Sequence, residues 1–305
     1  MPDSLSIENA YKCCKLCPRE CGVDRTAGQT GFCGMGAAPG LGLAIPHFWE
    51  EPCISGQKGT GAVFFSGCAL GCPYCQNQKL TAERFGAEVS TARLREIFFE
   101  LLAKGVSSID LVNPTHFLPS VLAALPESMP VPVIYNCGGY EKADSIRMLE
   151  GKIDIYMPDL KYADGDLADQ LSRAPDYFCL AKEAIQEMYR QTGDYQLDEK
   201  GMLRKGVLIR HLVLPGQLDN TFDVIDWVTE TFSAGSVLFS LMGQYMPAGD
   251  LRRFPWLQRR LTAEEYRRAA DYLLALGWED GYLQELSSSS EDFVPDFDLT
   301  GVLTE

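Results

Sequence analysis

No uninterrupted apolar run in the 305-residue chain approaches the roughly 20 residues needed to cross a bilayer. The opening residues, Met1-Pro2-Asp3-Ser4, also lack the basic and apolar segments of a secretion signal. A soluble, cytoplasmic chain with no membrane contact is therefore expected. Positive charge is scarce too: 27 Lys and Arg stand against 42 Asp and Glu, a formal net charge of −15. Such a surface repels phosphate backbones, and no basic patch offsets it, so nucleic acid is not expected as a partner. What the chain has instead is cysteine, eleven in all. Without a secretion signal, these point to metal ligation rather than disulfides. With 46% hydrophobic residues, a sizeable core is available to carry them.

Three cysteines, Cys68, Cys72 and Cys75, form a C-x3-C-x2-C array directly after the apolar run Ala62-Val63-Phe64-Phe65. Three thiolates on one short loop can hold three irons of a [4Fe–4S] cubane and leave the fourth iron without a protein ligand. An iron with an open position binds a substrate or cofactor, as open catalytic metal sites do, whereas a fully ligated cluster only moves electrons. A zinc loop or three buried thiols is the plainer alternative for so short a pattern.

The segment Cys68-Ala69-Leu70-Gly71-Cys72-Pro73-Tyr74-Cys75 resembles the signature loop of the radical S-adenosylmethionine (radical SAM) superfamily, including the aromatic residue before the third cysteine. The resemblance implies a [4Fe–4S] cluster on Cys68, Cys72 and Cys75 as the catalytic centre. Its open iron would chelate S-adenosylmethionine, whose reductive cleavage gives methionine and a 5'-deoxyadenosyl radical. Tyr74 would then sit beside the adenine. The cofactor supplies the difficult step, and the protein orients it.

Beyond residue 60, short apolar strands alternate with amphipathic helices. Strands are expected at 62–66, 109–112, 131–135, 153–157, 207–214 and 236–241, with helices at 91–105, 118–125, 141–150, 181–190, 222–231 and 262–276. In the first helix Leu94, Ile97, Phe98, Leu101 and Leu102 share one face, Ser90 or Thr91 can cap the start, and Gly105 can end it; Gly277 stops the last. Six strands interleaved with helices imply βαβ units and a parallel sheet, either open and doubly wound or barrel-like. The resemblance implies the second, an α/β partial (β/α)6 barrel with a small cysteine-rich N-terminal segment. The expected division is 1–50 for that segment, 51–260 for the barrel, and 261–305 for a C-terminal helix and tail packed on it. The polar stretch 194–205 reads as a surface loop or lid, and 285–305 as a polar turn followed by an aromatic anchor drawn from Phe293 and Phe297.

Parallel α/β folds place their sites at the carboxyl ends of strands, so each strand end is a candidate. Asn113-Pro114-Thr115-His116 follows the second strand, where many radical SAM relatives carry Gly-Gly-Glu. Asn113 and Thr115 are the substitutes for binding the methionine amino group, and His116 can face the substrate. Asn136-Cys137-Gly138-Gly139-Tyr140 ends the third strand and fits the Asn-Gly-Tyr-like strand end of glycyl-radical activating enzymes, which makes Asn136 a contact to S-adenosylmethionine. Asp159-Leu160-Lys161 resembles the Asp-x-Lys end of the same enzymes, with Lys161 offering a point cation to a carboxylate and Asp159 orienting it. Arg210 and His211 interrupt the fifth strand. Alternation lets only one point inward, and the resemblance assigns the pair to the ribose or carboxylate. Gln244 and Tyr245, after the sixth strand, are candidates to line the adenine or substrate space.

Cys14, Cys17, Cys21 and Cys33 make a four-thiolate set before the barrel, with Cys13 able to replace Cys14. Their x2, x3, x11 spacing suits either structural zinc or a second iron–sulfur cluster. Cys53, Cys137 and Cys179 read as core or spare thiols. The whole pattern resembles pyruvate formate-lyase activating enzymes with an extra cysteine-rich amino terminus. That implies an oxidoreductase that places a glycyl radical on a partner enzyme, fed by an electron donor such as flavodoxin or ferredoxin. A radical SAM enzyme acting on a peptide or small molecule itself, and a catalytically silent metal-binding protein, are the other readings.

Overall fold

The computed structural model describes residues 9–284 and 295–304. Short apolar segments, buried on both faces as parallel strands must be, supply the sheet. Its strands are β1 (Gly40–His47), β2 (Thr60–Phe65), β3 (Ala87–Glu88), β4 (Ile109–Val112), β5 (Val133–Cys137), β6 (Ile155–Pro158), β7 (Gln196–Leu197), β8 (Leu203–Leu212), β9 (Leu238–Met242) and β10 (Gly281–Leu283). The order is β10-β9-β8-β6-β5-β4-β2-β1-β3, with β7 on β8 alone. From β2 through β10 the main-path strands run parallel, while β1 is antiparallel to β2 and β3. A doubly wound sheet would reverse its order partway; here each new strand adds on the same side. The architecture is that of an α/β partial barrel, and the six expected strands are six of its seven parallel members, β10 being the seventh.

The helices are α1 (Pro52–Ser55), α2 (Gln78–Thr81), α3 (Thr91–Ala103), α4 (Leu118–Ala124), α5 (Ala143–Arg147), α6 (Gly165–Ser172), α7 (Tyr177–Thr192), α8 (Leu218–Thr231) and α9 (Ala263–Ala275). Ser90 caps α3 by accepting from the Arg93 amide, and Leu94, Ile97, Phe98 and Leu101 are buried, each burial worth roughly 1.5–3 kcal/mol. Thr262 and Glu265 form a reciprocal capping box on α9.

Alternation sorts the strand side chains into two layers. Val63, Phe65, Leu111, Tyr135, Ile209 and Phe239 join the helices in one large core. Ile134, Ile155, Met157, Leu208 and Leu238 face the barrel interior. There they meet Cys53 and Ile54, because the connection from β1 to β2 folds beneath the barrel and α1 plugs its floor. Glu51 beside it accepts from Ser240 Oγ at 2.8 Å.

Several expectations shift. The sheet runs past both boundaries drawn at residues 50 and 261, since β1 and β10 belong to it. The stretch 194–205 is not a lid: β7 pairs antiparallel with the start of β8, and Asp198 closes the turn on the amides of Lys200 and Met202. That hairpin lies at the amino end of β8, opposite the strand ends where a lid would act. Helix α6, capped by Asp164 and burying Leu167, Ala168 and Leu171, is an element outside the expected set. Phe297 is an anchor, packed edge-on to Phe64 at 5.5 Å, whereas Phe293 and the four serines lie outside the described residues.

Candidate functional site

A cavity of about 260 Å³ lies inside the barrel at the carboxyl ends of its strands. Cys68, Cys72, Tyr74 and Cys75 line it from the loop after β2, Asn113 after β4, and Asn136 and Cys137 at the end of β5. Asp159 and Lys161 follow β6, Arg210 sits on β8, and Gln244 follows β9. Most residues singled out from strand ends thus converge on one space.

The cysteine loop turns through Gly67 (φ 81°) and Gly71 (φ 68°), a backbone that side chains other than glycine rarely adopt. All three cysteines are free thiols. Leu70 N–H donates to Cys68 Sγ at 3.3 Å, and Thr81 Oγ1 donates to Cys75 Sγ at 3.5 Å. Ser172 Oγ lies 3.1 Å from Cys72 Sγ. Burial, with the neighbouring Cys72, pushes the Cys68 thiol up to about 12. The same two causes raise Cys75, with Lys161 drawing it back. Without metal these thiols keep their protons; ligation must displace them. Three soft sulfur donors at the mouth of one cavity fit an iron–sulfur group far better than an oxygen-seeking cation. Among the described residues, no three His, Cys, Asp or Glu side chains converge on a position for a single metal ion.

Facing the thiols is an ionic chain. Lys161 Nζ is 2.6 Å from Asp159 Oδ2, and Arg210 Nε is 3.0 Å from Asp159 Oδ1. Arg210 Nη1 reaches Glu50 Oε2 at 3.0 Å, and Nη2 donates to Asn136 Oδ1 at 2.7 Å. Asn136 in turn donates to Asp110 Oδ2 at 3.3 Å. Burial alone would raise the Asp159 carboxyl, but Lys161 and Arg210 outweigh it and hold the group below its usual range. Asp110 goes the other way: burial first, then the Glu50 charge, lift its carboxyl well above normal. The cavity therefore presents fixed cations beside the Asp159 carboxylate, with Asp110 set behind Asn136. Asn113 adopts φ 61° and donates from Nδ2 to the Gly67 carbonyl at 2.6 Å, bracing the cysteine loop. Tyr74 is buried, its hydroxyl 2.6 Å from that of Tyr162.

Four candidates do not reach the cavity. Alternation turns Arg210 inward and His211 outward, where its ring bridges the Leu160 carbonyl (2.6 Å) and Thr221 Oγ1 (3.0 Å). His211 thus fastens α8 to the loop after β6. Burial pushes it down to about 4, so it is a neutral structural tie rather than a cofactor contact. Thr115 donates to Glu141 at 2.6 Å, and His116 Nε2 pairs with the Ser66 carbonyl at 2.7 Å. Tyr245 donates to the Leu257 carbonyl at 2.8 Å. Sequence reasoning missed His47, at the end of β1, and Trp49 and Glu50, in the β1–β2 connection, all of which line the cavity. The acidic pair Glu50-Glu51 ahead of Pro52 was their one visible signal. Cys137, read as a core or spare thiol, is buried in the core and also lines the cavity.

Behind Cys137, Glu141 is buried and accepts from Thr115 and Tyr135. Burial raises its carboxyl to about 7. A raised carboxyl stabilises the fold below the unfolded value, and that contribution is lost as pH rises through the folded one. Stability of the metal-free chain is expected to fall between about pH 4.5 and 7, by an amount on the order of 3 kcal/mol. Glu141→Gln should flatten that slope in urea unfolding at a series of pH values; an unchanged slope would reject the assignment.

The amino-terminal segment rests on this loop. Cys14, Cys17 and Cys33 are buried while Cys13 and Cys21 are exposed, so Cys14 rather than Cys13 faces the other thiols. Burial lifts Cys17 to about 12. Arg25 secures the segment, lying over the rings of Tyr11 and Phe117 and donating to the His116 carbonyl.

No protein-family model matches the chain. It is 26% identical over 277 residues to an uncharacterized protein of Methanocaldococcus jannaschii, covering 87% of this chain and 75% of that protein. Among solved structures it is similar to Streptococcus suis SuiB bound to its precursor peptide SuiA, at 14% identity and a TM-score of 0.48 over 73% of this chain. The chain spans about half of SuiB, 48%. It is also similar to methylornithine synthase (PylB), at 13% identity and a TM-score of 0.49, over 93% of this chain and 72% of that one. Among the described residues no helix is long and apolar enough to cross a membrane.

Proposed function

We propose that the chain is a radical SAM enzyme, with Cys68, Cys72 and Cys75 holding a [4Fe–4S] cluster. The observation that carries the reading is the meeting of three free thiols with a fixed cation–carboxylate chain in one cavity at the strand ends. When bound, the cluster and S-adenosylmethionine supply a 5'-deoxyadenosyl radical. The chain's own work is to bind and orient. Lys161 offers a cation to the methionine carboxylate, held toward the cavity by Asp159. Arg210 fixes Asp159, Asn136 and Glu50 in one arrangement. Tyr74 and the apolar wall from Phe64 and Leu70 limit water.

Anaerobic reconstitution with iron and sulfide, followed by dithionite and S-adenosylmethionine, tests the reading: 5'-deoxyadenosine should form, and none would sink it. Lys161→Ala should weaken S-adenosylmethionine binding about ten- to hundredfold, the worth of one charge-assisted bond, with iron content unchanged. Equal loss of both would make Lys161 structural.

Within that class we place the chain among activating enzymes that install a glycyl radical on a partner polypeptide, with a flavodoxin- or ferredoxin-type donor. The support is the Asn136 and Asp159-Leu160-Lys161 strand ends, both of which line the cavity as that resemblance requires. A stable organic radical on a second protein, seen by electron paramagnetic resonance after anaerobic mixing, is the expected sign. The amino-terminal thiols are proposed to bind a second metal, a cluster in preference to zinc because no three described side chains converge on a single-ion position; iron and zinc analysis of Cys17→Ala against the native chain discriminates the two.

A further inference from the structure

Between its cysteines the amino-terminal segment carries Arg19, which leaves the segment and reaches the cysteine loop. Its guanidinium is sandwiched by Phe32, 3.9 Å from the ring centre, and Tyr140, at 5.1 Å. Nε donates to the Ala69 carbonyl at 2.8 Å, Nη2 to the Ser172 carbonyl at 2.6 Å, and Nη1 to the Arg173 carbonyl. Ala69 lies between Cys68 and Cys72 in the chain. Ser172 closes helix α6, and Arg173 takes the left-handed cap conformation. Their carbonyls belong to the helix end, where backbone acceptors lack helical donors and a cation is favoured. The Ser172 hydroxyl is the group 3.1 Å from Cys72 Sγ, and it also lies 3.0 Å from the Tyr162 hydroxyl. One fork thus ties together the two structures that flank Cys72. The cysteine loop and the amino-terminal segment also meet backbone to backbone: a Cβ on Gly67 would lie 2.7 Å from the Cys33 carbonyl oxygen.

We propose that Arg19 is a positioning residue that couples the cysteine-rich segment to the Cys68–Cys75 loop, seating Cys72 against Ser172. Order in the segment, including any set by metal on its thiols, is thereby passed to one ligand of the cluster. A lysine cannot reproduce this, because its ammonium is a point charge without the planar fork. The inference rests on the reading of Cys72 as a cluster ligand, but its first test needs no cluster.

Amide hydrogen exchange is followed by mass spectrometry in the full metal-free chain and in Arg19→Met and Arg19→Lys. The reporters are the amides of Leu70 and Cys75, bonded to Cys68 Sγ and to the Cys72 carbonyl. In Arg19→Met they should exchange about tenfold faster, the loss of a bond or two, with Arg19→Lys in between. Protection of Cys14 and Gly22, which are bonded within the segment, should persist. Native loop rates would overturn the proposal. So would an equal rise throughout residues 11–36, which would make Arg19 an anchor for the segment alone. After reconstitution, Arg19→Met should lose iron to a chelator several-fold faster than the native chain; equal retention would also overturn it. If the native chain takes up no iron at all, the function reading fails and the exchange result stands by itself.

Discussion

Cys72→Ala will fold but will neither retain a cluster nor yield 5'-deoxyadenosine. Outer-shell partners of metal ligands are worth about 10- to 100-fold in affinity or activity, and the removal of one of three ligands should exceed that. The fold should survive, since Cys72 is partly exposed at the edge of the core and the hydrogen-bond contacts of its sulfur are with Ser172 and Tyr162. Cys53→Ala is the control. That thiol is buried in the barrel floor, with burial raising it to about 11, so the substitution should cost stability and leave iron uptake alone. Iron and sulfide analysis beside product detection separates the two variants. Native iron content in Cys72→Ala, or sustained 5'-deoxyadenosine, would remove this residue from the ligand set.

Arg210→Ala is the second large effect, and it should appear in stability before activity. Arg210 holds Asp159 and Glu50, whose side chains are only 17% and 13% exposed. Removing one partner of a buried ionic group typically costs about 3–5 kcal/mol, because the other charges remain buried and uncompensated. Arg210→Lys should recover part of this, since it restores charge but not the three-way fork. Urea unfolding of metal-free protein measures the difference; a cost below about 1 kcal/mol, the level of surface pairs, would mean that the chain is solvated. The pH dependence carries the same signature. In the native chain Asp159 titrates below its usual range, so its stabilisation is present above the unfolded value and lost only as pH falls through the lower folded one. Without Arg210 the Asp159 carboxyl should titrate nearer its usual value, so that loss should be smaller and complete at higher pH.

The parallel strands were legible because each is a short apolar run, with β4 matching its expected bounds of Ile109–Val112. Helices with caps were legible too, as in α3 and α9. What escaped was set by distant contacts. β1 contains Gly40, Gly42 and Pro46 and looks like a loop until β2 is beside it. Glu50 enters the site only because α1 folds beneath the barrel, which no local pattern encodes. The inward turn of Arg210 and outward turn of His211 followed from alternation, but which of the two turned inward depended on the register with β6 and β9. Thr115 and His116 were misplaced by proximity in sequence: a 3-10 turn at Thr115–Phe117 rotates both away from the strand end.

The outer edge of β1 is finished by the far end of the chain. Ala44 N–H donates to the Thr300 carbonyl at 2.9 Å and Leu299 N–H to the Gly42 carbonyl at 3.0 Å, while Lys79 reaches the Phe297 carbonyl. During synthesis, then, the hairpin beside the cysteine loop emerges early but stays ragged for some 250 residues of translation. Until residues 297–302 leave the ribosome, Phe64 and Leu43 lack the cover of Phe297 and a strand edge stands open to other chains.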